Sequence, residues 1–451
     1  MKIHTFKRQN QTPLKPFHQR ILFLAVFLAF FTDGFSQIPE SIKKEIRNRI
    51  STGLNPSIAL AVYDETGTQI VVEGHADPLN KKAATANTLY RLGSLGNTLT
   101  GLLAAELHKA KYIDIFQPIS QLSDDYPDLT DLQGKAITLQ DILAYKSGIE
   151  DETAFILSST ASWKALENND QVEEISPYAA GEVFSYSDWA MGLAAESMST
   201  AMGSTYANLL FEEILDGSAL KFKYLKEGET SAQLALGIKA SNAEIPYIKS
   251  ESMLWAASIT DLLAYGKFIQ SPPPGQSEVV ALTTKTHFVS EIGINTGLGW
   301  LKDHQGNLYH AGHYPGFNTF LAIDRKHKKV IALATNTDGA DISDLGLYLL
   351  SPEENPLRPY REIAIDPVEL SSYEGYYINE ALGLELELQV NEGELRSIHK
   401  EDTVSLHFMG EHCFFYEGLK AHLDFERDHQ DRVVGVTLND NGKEVMFIKL
   451  N

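Results

Sequence analysis

Arg91-Leu92-Gly93-Ser94-Leu95-Gly96-Asn97-Thr98-Leu99-Thr100 is the stretch on which the reading of the fold turns. From Leu95 onward, Leu99, Leu102 and Leu103 recur at three- and four-residue spacing, which is the period of one face of a helix. Ser94 therefore stands near the start of an amphipathic helix. By position alone it reads as an N-cap, a side chain that accepts from amides of the first turn.

Upstream, Ile58, Leu60 and Val62 share one face of a strand, Asp64-Glu65-Thr66-Gly67 can turn, and Ile70-Val71-Val72 can return as the second arm of a hairpin. Downstream, Leu139 to Tyr145, Trp189 to Met202 and Ile259 to Ile269 read as helices, the last closing before Ser271-Pro272-Pro273-Pro274. Strands then resume. Gly299-Trp300-Leu301 and Leu308-Tyr309-His310 flank Gln305-Gly306-Asn307, and Phe320 to Ile323 and Val330 to Ala334 flank the basic turn Arg325 to Lys329. Strands, many helices and strands again predict an α/β (α+β) layer built partly from antiparallel hairpins with a helical insertion, not a regular βαβ alternation.

A polar, proline-containing segment over 351–366 reads as a linker that closes a domain over 37–350. Beyond it Leu384, Leu386, Leu388 and Val390 alternate with Glu385, Glu387 and Gln389 before Asn391-Glu392-Gly393, and Asp440-Asn441-Gly442 separates two further runs. These repeated short strands predict a small antiparallel β-barrel or sandwich over 367–451.

The 451 residues are 43% hydrophobic, enough for sizeable cores, so collagen-like, coiled-coil and wholly disordered chains are excluded. With 60 acidic against 38 basic residues the formal charge is −22, which repels nucleic acid and anionic membrane surfaces. The single cysteine, Cys413, cannot form an internal disulfide, and no Cys/His grouping has the spacing of a structural zinc site. At the N-terminus Lys2, Lys7, Arg8, Lys15 and Arg20 precede the apolar run Ile21 to Phe31, too short to span a bilayer comfortably, and Gly34-Phe35-Ser36 suits a signal-peptidase cut. We expect a cleaved signal over 1–36, a periplasmic or secreted protein, and no membrane span after cleavage.

Three more stretches follow the first in order: Ile137-Thr138-Leu139-Gln140-Asp141-Ile142-Leu143-Ala144-Tyr145-Lys146-Ser147-Gly148, Phe184-Ser185-Tyr186-Ser187-Asp188, and His310-Ala311-Gly312-His313-Tyr314-Pro315-Gly316-Phe317, the last preceded by Gly297-Leu298-Gly299-Trp300. Together they resemble the serine β-lactamase and penicillin-binding superfamily, in its branch of class C β-lactamases, D-aminopeptidases, DD-peptidases and esterases, over roughly residues 40 to 350. The resemblance implies a β-lactamase/transpeptidase-like antiparallel sheet flanked by helices with a helical subdomain, and a tail similar to the small β-barrel that often follows such domains. It implies no cofactor, and a small-molecule or peptide substrate.

In that family a Ser-x-x-Lys motif supplies a nucleophile and, one helical turn on, a lysine that helps remove its proton. Ser94 fits, but the lysine position holds Asn97, whose amide cannot serve as a general base. The family's Tyr-x-Asn appears as Tyr186-Ser187-Asp188, so that Lys and Asn are replaced by Asn97 and Asp188. The carboxylate either takes over the base role or raises the pKa of Tyr186 and leaves the phenol inert. Asp188 is also a candidate cap for the helix beginning at Trp189.

The third motif, Lys-Thr-Gly in β-lactamases and often His-x-Gly in esterase-like members, appears as His310-Ala311-Gly312, which tilts the expected substrate toward esters or peptides and makes His310 a candidate proton carrier. By resemblance the oxyanion hole uses backbone N–H groups at Ser94 and at Asn318, with Gly312 beside the substrate. His310 and His313 fall on opposite faces of a strand, which argues against a shared metal. Lys146 reads as a solvated loop lysine. Three readings remain open: a serine hydrolase acting through an acyl-enzyme on Ser94, a pseudoenzyme that binds a peptide, cell-wall fragment or partner, and a scaffold in which the C-terminal barrel over 367–451 acts through assembly.

Overall fold

The computed structural model describes residues 38–122, 129–149, 177–239, 250–290, 293–357, 362–379, 382–391, 393–399, 402–416, 421–440 and 443–450. The expected signal over 1–36 lies outside them, as do Glu392 and the Asn441-Gly442 turn.

Residues 57–62 are buried without exception. A strand read as covered on one face is covered on both. Strands β1 (Ser57–Asp64), β2 (Gly67–Asp77) and β3 (Lys82–Ala83) join β7 (Phe288–Val289), β8 (Asn295–Thr296), β9 (Leu301–Lys302), β10 (Leu308–Tyr314), β11 (Phe317–Asp324) and β12 (Lys329–Thr335) in one sheet of order β3-β2-β1-β12-β11-β10-β9-β8-β7. Each adjacent pair in it is antiparallel. Between them β4 (Leu89–Arg91), β5 (Lys223–Tyr224) and β6 (Trp255–Ser258) form a smaller sheet.

Alternation along the central strands sends side chains into two layers. Ile58, Leu60 and Val62, with Phe320, Ala322, Ile331 and Leu333, pack under Ile42 and Ile46 of α1 (Glu40–Ser51) and under Leu345 and Leu349 of a helix over Ser343–Leu350. Ala59, Ala61, Ala332 and Ala334 face the opposite layer, where their small size lets the helices lie close to the sheet.

That second layer holds α2 (Asn97–Lys109), α3 (Leu139–Leu143), α4 (Asp188–Met202), α5 (Tyr206–Leu210), α6 (Ile259–Gln270) and α7 (Ser277–Thr284). The helix over Ser343–Leu350 is α8. The expectation of an amphipathic helix after Ser94 needs amendment: Asn97 to Ala105 and Leu107 of α2 are all buried, because neighbouring helices pack around it. Helix α3 stops at Leu143, earlier than the pattern predicted, and Tyr145 beyond it takes a left-handed φ of 52°. Gly299 and Trp300 precede the strand expected to include them, and the Trp300 side chain is fully buried in the core.

After a short helix α9 (Pro367–Ser371), strands β13 (Gly375–Asn379), β14 (Leu384–Asn391), β15 (Glu394–His399), β16 (Asp402–Gly410), β17 (Cys413–Tyr416), β18 (Ala421–Arg427), β19 (Val433–Asp440) and β20 (Lys443–Lys449) form a closed antiparallel barrel. Each strand pairs with the next in sequence, and β13 closes on β20 through Tyr377 opposite Lys449 and Ile378 opposite Ile448. Tyr377, Leu386, Leu388, Leu395, Phe414, Leu423, Phe425 and Phe447 fill it. Closure removes the sheet edges that an open barrel-sized sheet would expose.

Candidate active site

Ser94 sits in a 3-10 turn, Gly93–Gly96, that runs into α2 and places Asn97 at the first residue of that helix. Strand β10 passes directly beside this turn. A β-carbon on Gly312 would lie 1.9 Å from the Leu92 carbonyl oxygen and 2.4 Å from Thr319 Oγ1, so only glycine admits the contact. Gly93, at φ +56°, is equally confined: a β-carbon there would lie 2.1 Å from the carbonyl oxygen of His313.

Helix α4 delivers Asp188. Its N-cap is Ser187, whose side chain accepts from the Ala190 amide at 3.0 Å. The reading of Asp188 as the cap is therefore set aside; its carboxylate projects instead to Ser94. Ser94 Oγ donates to Asp188 Oδ2 at 2.9 Å, while Oδ1 accepts from Tyr186 Oη at 3.0 Å and from Asn97 Nδ2 at 3.0 Å. The Asn97 amide also approaches Tyr186 Oη at 3.4 Å. Ser94 and Asn97 are buried, Tyr186 and Asp188 half-buried.

The orientation of the Asn97 amide is set from behind. Its Oδ1 accepts from Ser252 Oγ at 2.9 Å, which leaves Nδ2 to face Asp188 and Tyr186. Ser252 lies in a turn packed so tightly on Gly96 that a β-carbon on that glycine would be 1.8 Å from the Ser252 carbonyl oxygen. No motif in the sequence signalled this serine.

A second residue that no motif signals is Tyr145, within the second quoted stretch. Its ring stacks on Tyr186 with centroids 4.9 Å apart, and its hydroxyl meets His310 Nε2 at 2.9 Å. His310 Nδ1 faces the Ala311 carbonyl oxygen at 2.6 Å, and a carbonyl only accepts, so Nδ1 carries the proton and Nε2 accepts from the Tyr145 phenol. The unusual φ at Tyr145 is the local mark of that position.

Burial and charge act in the same direction on the two phenols. Burial, followed by the Asp188 charge, pushes the Tyr186 phenol well above its usual 10, and burial with the same charge does so for Tyr145. Burial pulls His310 down to about 4, so its imidazole is neutral at neutral pH. Both phenols are donors, and neither is a phenolate base.

Strand β10 keeps His310 buried and His313 exposed, on opposite faces as expected. Asn318 on β11 pairs across the ladder with His313; its side chain bonds to His313 Nδ1 at 3.0 Å and to the Thr337 carbonyl at 3.1 Å. Lys146 pairs with Asp141 Oδ1 at 3.1 Å at the end of α3, a half-buried ion pair where a solvated lysine was expected. Ser94, Asn97 and Tyr186 thus all meet at the Asp188 carboxylate, and His310 joins them through Tyr145.

The family model described as Beta-lactamase matches residues 43–350. The chain belongs to the beta-lactamase family. Among relatives of this family of serine hydrolases, a beta-lactamase of Pseudomonas fluorescens is 24% identical over 260 residues, covering 54% of this chain and 68% of that protein. Protein flp of Staphylococcus aureus (strain MW2) is 21% identical over 296 residues, 61% of this chain, and the match spans only 58% of that relative's length. The octameric penicillin-binding protein homologue from Pyrococcus abyssi superposes with a TM-score of 0.62 at 17% identity, over 91% of this chain and 96% of that one, a likeness of fold. Among the described residues no helix is long and apolar enough to cross a membrane.

Proposed function

We propose that this beta-lactamase family member is a serine hydrolase of ester, peptide or amide bonds whose general base is Asp188. The observation that carries the reading is the 2.9 Å hydrogen bond from Ser94 Oγ to Asp188 Oδ2. In the acylation step Ser94 Oγ bonds to the acyl carbon as its proton passes to Asp188, and the protonated carboxyl then returns that proton to the departing alcohol or amine. Water reverses the sequence on the acyl-enzyme. Tyr186, held as a phenol, and Asn97 both donate to Oδ1, keeping Oδ2 turned to the nucleophile.

For the tetrahedral oxyanion we assign the Ser94 N–H as one donor. The expected second donor, Asn318, is less suited than its ladder partner. The His313 backbone edge lies against Gly93, and the N–H and C=O of one strand residue leave on the same edge, so the His313 amide is the better placed. A neutral His310, already accepting from Tyr145, offers no cation opposite a substrate carboxylate, which favours esters and neutral amides over β-lactams.

The test is an intact mass of the protein after exposure to a fluorophosphonate probe, with Ser94→Ala as control. A mass increase in the native chain that is absent from the control supports the hydrolase. Its absence, together with saturable binding of a peptide or cell-wall fragment, supports a pseudoenzyme. Export through a signal over 1–36 belongs to the same proposal; it rests on the basic and apolar pattern there, and N-terminal sequencing of the protein recovered outside the cytoplasm tests it.

A further inference from the structure

Strands β17 and β18 of the barrel are antiparallel neighbours with Cys413 directly opposite Asp424, Phe414 opposite Leu423 and Phe415 opposite His422. Phe414 and Leu423 point into the barrel core, so alternation turns Cys413, His422 and Asp424 to the other face of the ladder. There the Cys413 sulfur, an imidazole nitrogen of His422 and a carboxylate oxygen of Asp424 all lie within 4.8 Å of one another. His422 Nε2 is already 3.3 Å from Asp424 Oδ2. Cys413 is 2% exposed and the other two are half-buried, so the donors are partly withdrawn from water.

We propose that these three side chains bind one zinc(II) ion, which ties β17 to β18 at a site separate from Ser94. A thiolate, an imidazole and a carboxylate form a mixed set that suits zinc, whereas calcium and magnesium take oxygen ligands alone. Tetrahedral zinc with bonds of about 2.0–2.3 Å holds its ligand atoms roughly 3.5 Å apart, so side-chain rotations that draw the donors together by about 1 Å complete the site. Binding exchanges the Cys413 thiol proton for a sulfur–zinc bond and releases that proton to solvent; a water molecule takes the fourth position. The ladder places two ligands before the ion arrives: His422 and Asp424 share one face of β18 two residues apart, and the register sets Cys413 across from them.

The ligands 413, 422 and 424 fit no familiar zinc spacing in the sequence, because strand pairing rather than a knuckle or helix brings them together. The experiment is a calorimetric titration of the chelator-treated full chain with zinc chloride, repeated on Cys413→Ala, His422→Gln and Asp424→Asn. The expected result is one equivalent of zinc taken up with release of a proton, a zinc-dependent rise in melting temperature, and a loss of affinity of about tenfold or more in each variant. Cobalt(II) is the spectroscopic probe: the native chain should show a thiolate-to-cobalt charge-transfer band that Cys413→Ala lacks. Circular dichroism of each variant separates a lost ligand from a lost fold, and Asp424→Asn, which preserves side-chain shape, carries the test if another variant fails to fold. No stoichiometric zinc uptake by the native chain, or uptake that all three variants retain, overturns the proposal.

Discussion

Ser94 Oγ and Asp188 Oδ2 stand 2.9 Å apart, a hydroxyl and a carboxylate in direct contact where the family's motifs place a lysine and an asparagine around the serine. The contact depends on Ser187 capping α4, which leaves the Asp188 carboxylate available to Ser94.

Asp188→Asn keeps the side-chain shape and removes the proton acceptor. Positioned base assistance is worth about 10²- to 10⁴-fold, and the rate of fluorophosphonate labelling should fall by that order while the melting temperature changes little. Labelling at the native rate would remove Asp188 from the mechanism.

Asn97→Lys should lower labelling rather than raise it, because an ammonium at this buried position pairs with Asp188 and draws the carboxylate from Ser94. The double change Asn97→Lys with Asp188→Asn recreates the family's arrangement and should recover activity beyond the sum of the single effects, a non-additivity expected of residues in contact. Additive losses would show that the exchanged pair does not act as a unit.

His310 makes stability depend on pH in a defined window. Its imidazole is held neutral in the folded protein down to about pH 4, while in the unfolded chain it protonates near 6.5. Between those values the unfolded chain binds more protons, so this contribution is complete above pH 6.5 and is lost as the pH falls, at about 1.4 kcal/mol per unit. Urea denaturation at pH 7 and pH 5 should show the stability difference between native protein and His310→Gln shrinking at the lower pH; a constant difference would contradict the buried neutral imidazole.

Arg49 of α1 is fully buried and bonds Glu45 at 2.8 Å and Asp344 of α8 at 2.5 Å, joining the two helices that cover one face of the sheet. Arg49→Ala leaves both carboxylates without this partner and should cost about 3–5 kcal/mol, read from denaturant midpoints. The fluorophosphonate labelling rate of the folded fraction should be unchanged, because the site lies on the sheet's other layer.

Legibility in the sequence followed the range of the interactions. The hairpin at Ser57, the helices near 139, 189 and 259 and the alternating strands after 384 rest on local periodicity. Accordingly the α/β layer with a following barrel agrees with the observed fold. What local pattern misjudged was burial: α2 read as one-faced and is surrounded, and β1 read as half-covered and lies between two layers. Periodicity records which residues share a face, but how many faces are covered depends on elements hundreds of residues away.

The sequence by itself determined the chemical departures: an amide at Asn97 cannot exchange a proton near neutral pH, and a carboxylate at Asp188 adds a charge where the family carries none. Only the tertiary structure decided what those departures touch. Whether Asp188 caps a helix or reaches Ser94, whether Tyr186 ionises, and whether Cys413 meets His422 and Asp424 depend on distances of a few ångströms between segments remote in sequence. Hydrogen bonds, desolvation and metal coordination change steeply over those distances, and residue order alone does not contain them.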